Sequence, residues 1–265
     1  MAARFRTDCD KLAARQHGYV IERQRVLCEE LRVICAARNP RCRLTNASPA
    51  EAAPALPEQD ALRSRQWALL ARLLAAAPDA DTLAALAALE GDETALGQAY
   101  GVLARTAAET DAATVEREFF ELFIGVGRGE LLPYASFYLT GFLNERPLAD
   151  LRRDLGAMGV VRADGRHEPE DHVASIAEVM AGLAAGEFDA GVLGCGAAGE
   201  AGFFARHMQP WVTQFFDDLA IAPSARFYRA VAEIGRIFTD IEIRAFALQA
   251  AADRATVEVR TASRH

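Results

Sequence analysis

Glu168-Pro169-Glu170-Asp171-His172-Val173-Ala174-Ser175-Ile176-Ala177-Glu178-Val179-Met180 is the stretch whose reading decides the fold. Its second half places Val173, Ile176, Ala177, Val179 and Met180 at the spacing of an apolar helix face. Its first half reads as the entrance to that helix. Proline suits the first helical position, where the N–H it lacks would be unpaired anyway. Glu168 and Glu170 would then face the positive end of the helix dipole. The same residues also read as a recognition site, with Asp171 and His172 held at a rigid helix entrance. Local physics does not choose between the two.

Outward from this segment the chain continues to read as helices. From residue 58, Ala, Leu, Arg and Glu dominate, all good helix formers. Apolar spacing predicts helices over 59–76, 79–89, 92–107, 111–124, 135–158, 169–186, 197–219 and 224–252. Trp67, Leu70 and Leu74 form one stripe, Val115, Phe119, Leu122 and Phe123 a second, and Phe227, Val231, Ile234, Phe238, Ile241 and Ala245 a third. No stretch alternates with period two, so the expected fold is all-α, a single helical domain over 58–252 with a tail at 253–265.

Residues 1–57 differ in charge: ten basic and six acidic residues give +4, whereas residues 58–265 hold 19 basic and 31 acidic, a net of −12. A Pro- and Ala-rich linker, Asn46 to Pro57, closes the segment, and residues 19–37 can form a helix with Val20, Leu27, Leu31 and Ile34 on one face. The segment reads as a real extension, helical or disordered, or as upstream sequence from a mis-called start; the next methionine is Met158. The whole 265-residue chain carries a formal charge of −8, which argues against nucleic-acid binding and for basic partners. No apolar run is long enough to span a membrane. Cys9, Cys28, Cys35, Cys42 and Cys195 contain no CxxC pair and read as free thiols of a cytoplasmic protein.

Chemistry-bearing patterns are incomplete. Gly125, Gly127 and Gly129 alternate as in an anion-binding nest, but Walker and dinucleotide fingerprints are absent; a glycine C-cap and connecting loop is the plainer reading. Tyr134 and Tyr138 lie on one helix face beside Ser136, suited either to packing or to lining a peptide groove. His207, next to Phe203, Phe204 and Trp211, reads as a packing residue, and Pro210 as a helix break. Glu168, Asp171, His172, Glu200 and His207 lack the Glu-x-x-His spacing of a di-metal bundle site, and His-Glu-x-x-His and Gly-x-Ser-x-Gly are missing. No catalytic residue, cofactor or metal site is therefore expected.

Four segments carry a family resemblance: Glu118-x-x-x-Leu122-Phe123-x-Gly125, Pro133-Tyr134-x-Ser136-x-Tyr138, Glu168-Pro169-Glu170-Asp171-His172-Val173-Ala174, and Phe204-x-x-His207-x-x-Pro210-Trp211. In order and spacing they resemble the TorD/DmsD family of molybdoenzyme-maturation chaperones, over about residues 60–250. Val126 and Leu132 stand where the family often has proline. With Leu139-Thr-Gly-Phe-Leu-Asn-Glu-Arg-Pro147, this loop looks like the formate dehydrogenase-associated branch. The resemblance implies a cytoplasmic chaperone without chemistry of its own. Its partner would be the apo catalytic subunit of a molybdopterin oxidoreductase, often met through a twin-arginine signal peptide, and the chaperone would be a monomer or a domain-swapped dimer. Carried over, the peptide site would comprise Leu122, Phe123, Tyr134, Ser136, Tyr138, Glu168, Pro169, Asp171 and His172. Asp171 would pair a leader arginine, and Tyr134 and Phe123 would receive its apolar part. Two readings from other classes stand beside it: a metal-dependent enzyme using Glu168, Asp171, His172 and His207, and a helical adaptor with no signal-peptide role.

Overall fold

The computed structural model describes residues 56–162, 168–188, 191 and 199–262, without the side chains of 253 and 256–262. The expected N-terminal extension up to residue 55 and all five cysteines lie outside the described residues. The described elements are α1 (Glu58–Ala75), α2 (Ala80–Ala87), α3 (Ala95–Ala108), α4 (Ala112–Phe119) with a π-turn (Phe120–Ile124), α5 (Ala135–Thr140), α6 (Arg146–Ala157), α7 (Val173–Ala184), α8 (Glu200–His207), α9 (Val212–Ile221) and α10 (Phe227–Ala262). Among the described residues there is no strand, only one isolated bridge, so the all-α expectation is met.

α7 is the axis of the bundle. Every residue in it except Glu178 is buried, which marks a helix packed on all sides rather than along one stripe. α1 lies along it and buries Leu70 and Leu74, while Trp67 meets Phe204 of α8 and Phe238 of α10. α10 packs on α9, α3, α1 and α4 and closes the other side. The α9–α10 approach depends on Gly235, where a Cβ would lie 2.1 Å from Phe216 Cε1. The core is unusually aromatic for a helical bundle, with Trp67, Phe203, Phe204, Trp211, Phe215, Phe216, Phe227 and Tyr228 all within 2% of full burial. Such rings bury about 150–250 Å² each and dominate the packing energy.

Several boundaries depart from the sequence reading. The helix expected over 135–158 is two helices: Gly141 ends α5 with φ +80°, and Asn144, at φ +60°, turns the chain into α6, which starts with Pro147 in its first turn. The helix expected over 197–219 breaks at Gln209-Pro210, as the proline required. α7 starts at Val173 rather than near Pro169, so the helix-entrance reading of Glu168-Pro169-Glu170 is corrected. α10 runs to Ala262, past the expected end at 252, because no proline or glycine follows Gly235 within it. In its stripe Ile241 is 45% exposed while Thr239 and Glu242 turn inward, Glu242 meeting the half-buried Arg63.

Candidate functional site

Two loops are stitched together at the N-terminal end of α7. Ala135 N–H donates to Asp171 O at 2.9 Å and Val173 N–H to Pro133 O at 2.8 Å, forming the antiparallel bridge between Tyr134 and His172. Asp171 is 1% exposed. Its Oδ2 accepts the Ser136 N–H at 2.8 Å, so it caps the first turn of α5 from across the chain. Its Oδ1 and the Ser136 Oγ, both buried, have no hydrogen-bond partner among the described residues. His172 is the N-cap of α7, its Nδ1 accepting the Ala174 N–H at 3.1 Å, and its ring meets the edge of Tyr134 at 5.2 Å. Asp171 therefore faces the interior and does not stand ready for an incoming arginine.

Glu118 plays the same part elsewhere. Buried at the end of α4, it accepts the N–H groups of Arg226, Phe227 and Tyr228 at 2.8, 3.1 and 2.7 Å. A carboxylate there meets both the orphan donors and the positive dipole end of α10. Two acids of the sequence pattern thus cap helices to which they do not belong. Glu168 and Glu170 do not serve the α7 dipole. Glu170 pairs with Arg152 Nη2 at 2.7 Å; burial pushes its carboxyl up, but Arg152, a backbone N–H and Arg162 together more than offset this and hold it below the ordinary range.

The surface of the site is made by tyrosine–carboxylate pairs. The half-buried Tyr134 donates its O–H to the exposed Glu168. One turn along α5, Tyr138 donates to Asp218 Oδ2 at 3.1 Å while its ring lies on Trp211 at 5.5 Å; Gln214 Nε2 donates to Asp218 Oδ1 at 2.6 Å. Burial, followed by the neighbouring carboxylates, pushes both tyrosine hydroxyls well above the usual phenol range, so both remain proton donors at neutral pH. Among the described residues no basic group pairs with Glu168 or Asp218. These two carboxylates are thus oriented, among the described residues, by neutral donors. At the C-terminal end of α5 and just beyond it, Leu139, Phe142 and Leu143 are exposed by 41, 70 and 42%. On the other stripe of α5, Ala135 and Leu139 join Leu151 and Ile176 as the floor of a cleft of about 210 Å³ rimmed by Asp154 and Arg206.

Of the expected site residues, Tyr134, Ser136, Glu168, Pro169, Asp171 and His172 are brought together, with Tyr138 one turn away. Leu122 and Ser136 are fully buried. Phe123 belongs to a different aromatic group, with Phe119 at 5.0 Å and Tyr228 at 5.4 Å. The glycine loop is a connector, as the plainer reading had it: Gly125, at φ +62°, caps the π-turn, and a Cβ there would lie 2.1 Å from Arg128 O. The residues proposed for a metal enzyme are divided. His207 Nε2 contacts Asp154 Oδ2 at 2.8 Å on α6 instead of joining Glu168 and His172, and no cluster of three metal-ligating side chains occurs among the described residues. Sequence reasoning missed Asp218 and the ion cluster in which Arg63 reaches Glu200 and Glu242, each at 2.6 Å. Partners separated by 80, 137 and 179 residues leave no local signal.

The described residues form an all-α scaffold whose pattern acids cap its own helices and whose tyrosines hold carboxylates near the surface. Residues 89–217 match the family model described as nitrate reductase delta subunit. The chaperone protein TorD of Vibrio cholerae serotype O1 is 31% identical over 125 residues, 46% of this chain and 57% of the relative. TorD of Aliivibrio fischeri is 37% identical over 59 residues, 22% of this chain and 27% of the relative. A solved structure from Archaeoglobus fulgidus, described as a candidate redox enzyme maturation protein, aligns over 72% of this chain and 99% of its own at 18% identity and a TM-score of 0.48. Over the matched segments the chain is similar to the nitrate reductase delta subunit family and to the TorD chaperones. Its match spans little more than half the length of the Vibrio cholerae relative. No described helix is long and apolar enough to cross a membrane.

Proposed function

We propose that this protein is a cytoplasmic maturation chaperone for the apo catalytic subunit of a molybdopterin oxidoreductase, and that it holds that subunit through a basic, twin-arginine leader peptide. The observation that carries the reading is the pair of carboxylates oriented by tyrosine hydroxyls, Glu168 by Tyr134 and Asp218 by Tyr138, with Leu139 and Phe142 exposed at the C-terminal end of α5 and just beyond it. An arginine fork can bind a carboxylate with two parallel hydrogen bonds, and an apolar leader helix can cover Leu139 and Phe142. Asp171 and His172 act as positioning residues: they fix α5 and α7 and thereby hold the tyrosines. The client we favour is a formate dehydrogenase, on the resemblance of the Val126-to-Pro147 loop to that branch.

Affinity capture from native lysate with mass spectrometry tests this, comparing wild type with Glu168→Gln/Asp218→Asn. The expected result is a molybdopterin-dependent catalytic subunit, enriched when cofactor synthesis is blocked and diminished in the double variant. Absence of any such subunit under both conditions would refute the reading.

A further inference from the structure

We propose that the cleft between α5, α6, α7 and α8 binds a carboxylate carried on a small branched apolar body, the chemistry of a peptide's C-terminal leucine. It is separate from the basic-leader reading, which uses Glu168 and Asp218. Ala135, Leu139, Pro147, Leu151 and Ile176 give the cleft an apolar floor. Asp150, Arg153, Asp154, Arg206 and His207 complete the lining of a volume of about 210 Å³. A cavity of about 150 Å³ takes a benzene-sized body, so the cleft has room for one aliphatic side chain with its carboxylate.

The polar lining sorts ligands by charge. The buried Asp154 is already engaged: it meets His207 Nε2 at 2.8 Å, Arg206 Nη1 at 3.3 Å and Arg153 Nε at 3.5 Å. Asp150 meets Arg153 Nη1 at 2.8 Å and Arg146 Nε at 3.5 Å. Three arginines therefore answer two carboxylates, a local surplus of one positive charge in a chain whose residues 58–265 sum to −12. Arg153 and Arg206 are exposed, and the Nη2 of each has no partner among the described residues. An incoming carboxylate can take charge-assisted hydrogen bonds from these two guanidinium groups. An incoming arginine finds both carboxylates of the lining already paired.

His207, buried and lining the cleft, adds an acceptor. Burial lowers its pKa, against the opposing pull of Asp154, so the ring is neutral at pH 7. With Nε2 donating to Asp154, Nδ1 carries the lone pair, and it has no partner among the described residues. These ion pairs fasten α6 to α8; the two Nη2 groups and Nδ1 are what the fastening leaves over. Two cationic donors and one acceptor over an apolar floor match the last residue of a peptide, with its carboxylate, its N–H and its side chain. A short branched acid such as isocaproate shares the carboxylate and the apolar body but lacks the N–H.

The test is a protein-observed NMR titration of the full chain with acetyl-Gly-Ser-Gly-Leu as the free acid, the same peptide as its C-terminal amide, and isocaproate. The free acid is expected to shift the signals of Ile176, Arg206 and His207 and to bind about tenfold more tightly than the amide, the worth of two exposed arginine–carboxylate contacts. Arg153→Gln/Arg206→Gln is expected to abolish that preference and Arg153→Lys/Arg206→Lys to keep most of it, at melting temperatures that show both variants folded. No binding of the free acid, equal affinities of acid and amide, or an undiminished preference in the glutamine variant overturns the inference. Isocaproate binding as tightly as the free-acid peptide overturns the assignment to a peptide end.

Discussion

Substituting Asp171 separates its two readings, arginine receptor or helix cap. The carboxylate is 1% exposed, and among the described residues its hydrogen bond is from the Ser136 N–H at 2.8 Å. Asp171→Ala removes a charge-assisted bond and leaves a buried donor unpaired at the start of α5, which costs about 1.5–3 kcal/mol. For a domain of this size each kcal/mol lowers the melting temperature by about 2–4 °C, so a fall of roughly 3–12 °C is expected. Asp171→Asn keeps an acceptor for Ser136 N–H, places its NH₂ where Oδ1 had no partner, and removes a buried charge. Its stability should lie within about 1 kcal/mol of wild type. Urea unfolding followed by circular dichroism measures both, alongside leader-peptide affinity. The cap account predicts that Asp171→Asn retains peptide binding and that Asp171→Ala loses stability first. An Asp171→Ala protein as stable as wild type, with peptide binding lost equally in Ala and Asn variants, would refute it and restore the arginine-receptor role.

Other substitutions probe the frame. Glu118→Ala strips three N–H groups of α10 of their acceptor and should cost about 3–4 kcal/mol, read from the urea midpoint. Arg63→Met leaves Glu242, 1% exposed, as a buried carboxylate without its cation; a loss of about 3–5 kcal/mol is expected, partly recovered by Arg63→Met/Glu242→Gln. His207 supplies a pH dependence. Burial lowers its pKa below 6.5, Asp154 opposes this, and Arg206 adds to the lowering. The folded state therefore binds this proton less readily than the unfolded chain, so the contribution of His207 is full above 6.5 and is lost as pH falls towards the folded value. Urea midpoints at about pH 7.5 and 5.5 should fall more for wild type than for His207→Gln; equal falls would dismiss the effect.

The fold was legible because helical periodicity is local. Trp67, Leu70 and Leu74 are buried where their stripe placed them, and Pro210 breaks the chain where its missing N–H required. The division of 135–158 was not read, because Gly141 and Asn144 turn the chain through left-handed conformations that the apolar spacing does not record. At the site, Pro169 resembled a helix-start proline, yet the chain forms a bridge to Tyr134 first and starts α7 at Val173. The sequence pattern pointed to Tyr134, Asp171 and His172 but not to their division of labour. Whether a carboxylate faces solvent or another helix's N–H groups depends on contacts such as Asp171 to Ser136 across 35 residues.

The most direct test of the client-peptide claim is fluorescence anisotropy of a labelled twin-arginine leader peptide against wild type and Glu168→Gln/Asp218→Asn. Each exposed arginine–carboxylate contact is worth about 0.5–1 kcal/mol. The double variant should therefore bind about tenfold more weakly with an unchanged melting temperature, and the difference should shrink at high salt. Equal affinities for the two proteins at low salt would contradict the account.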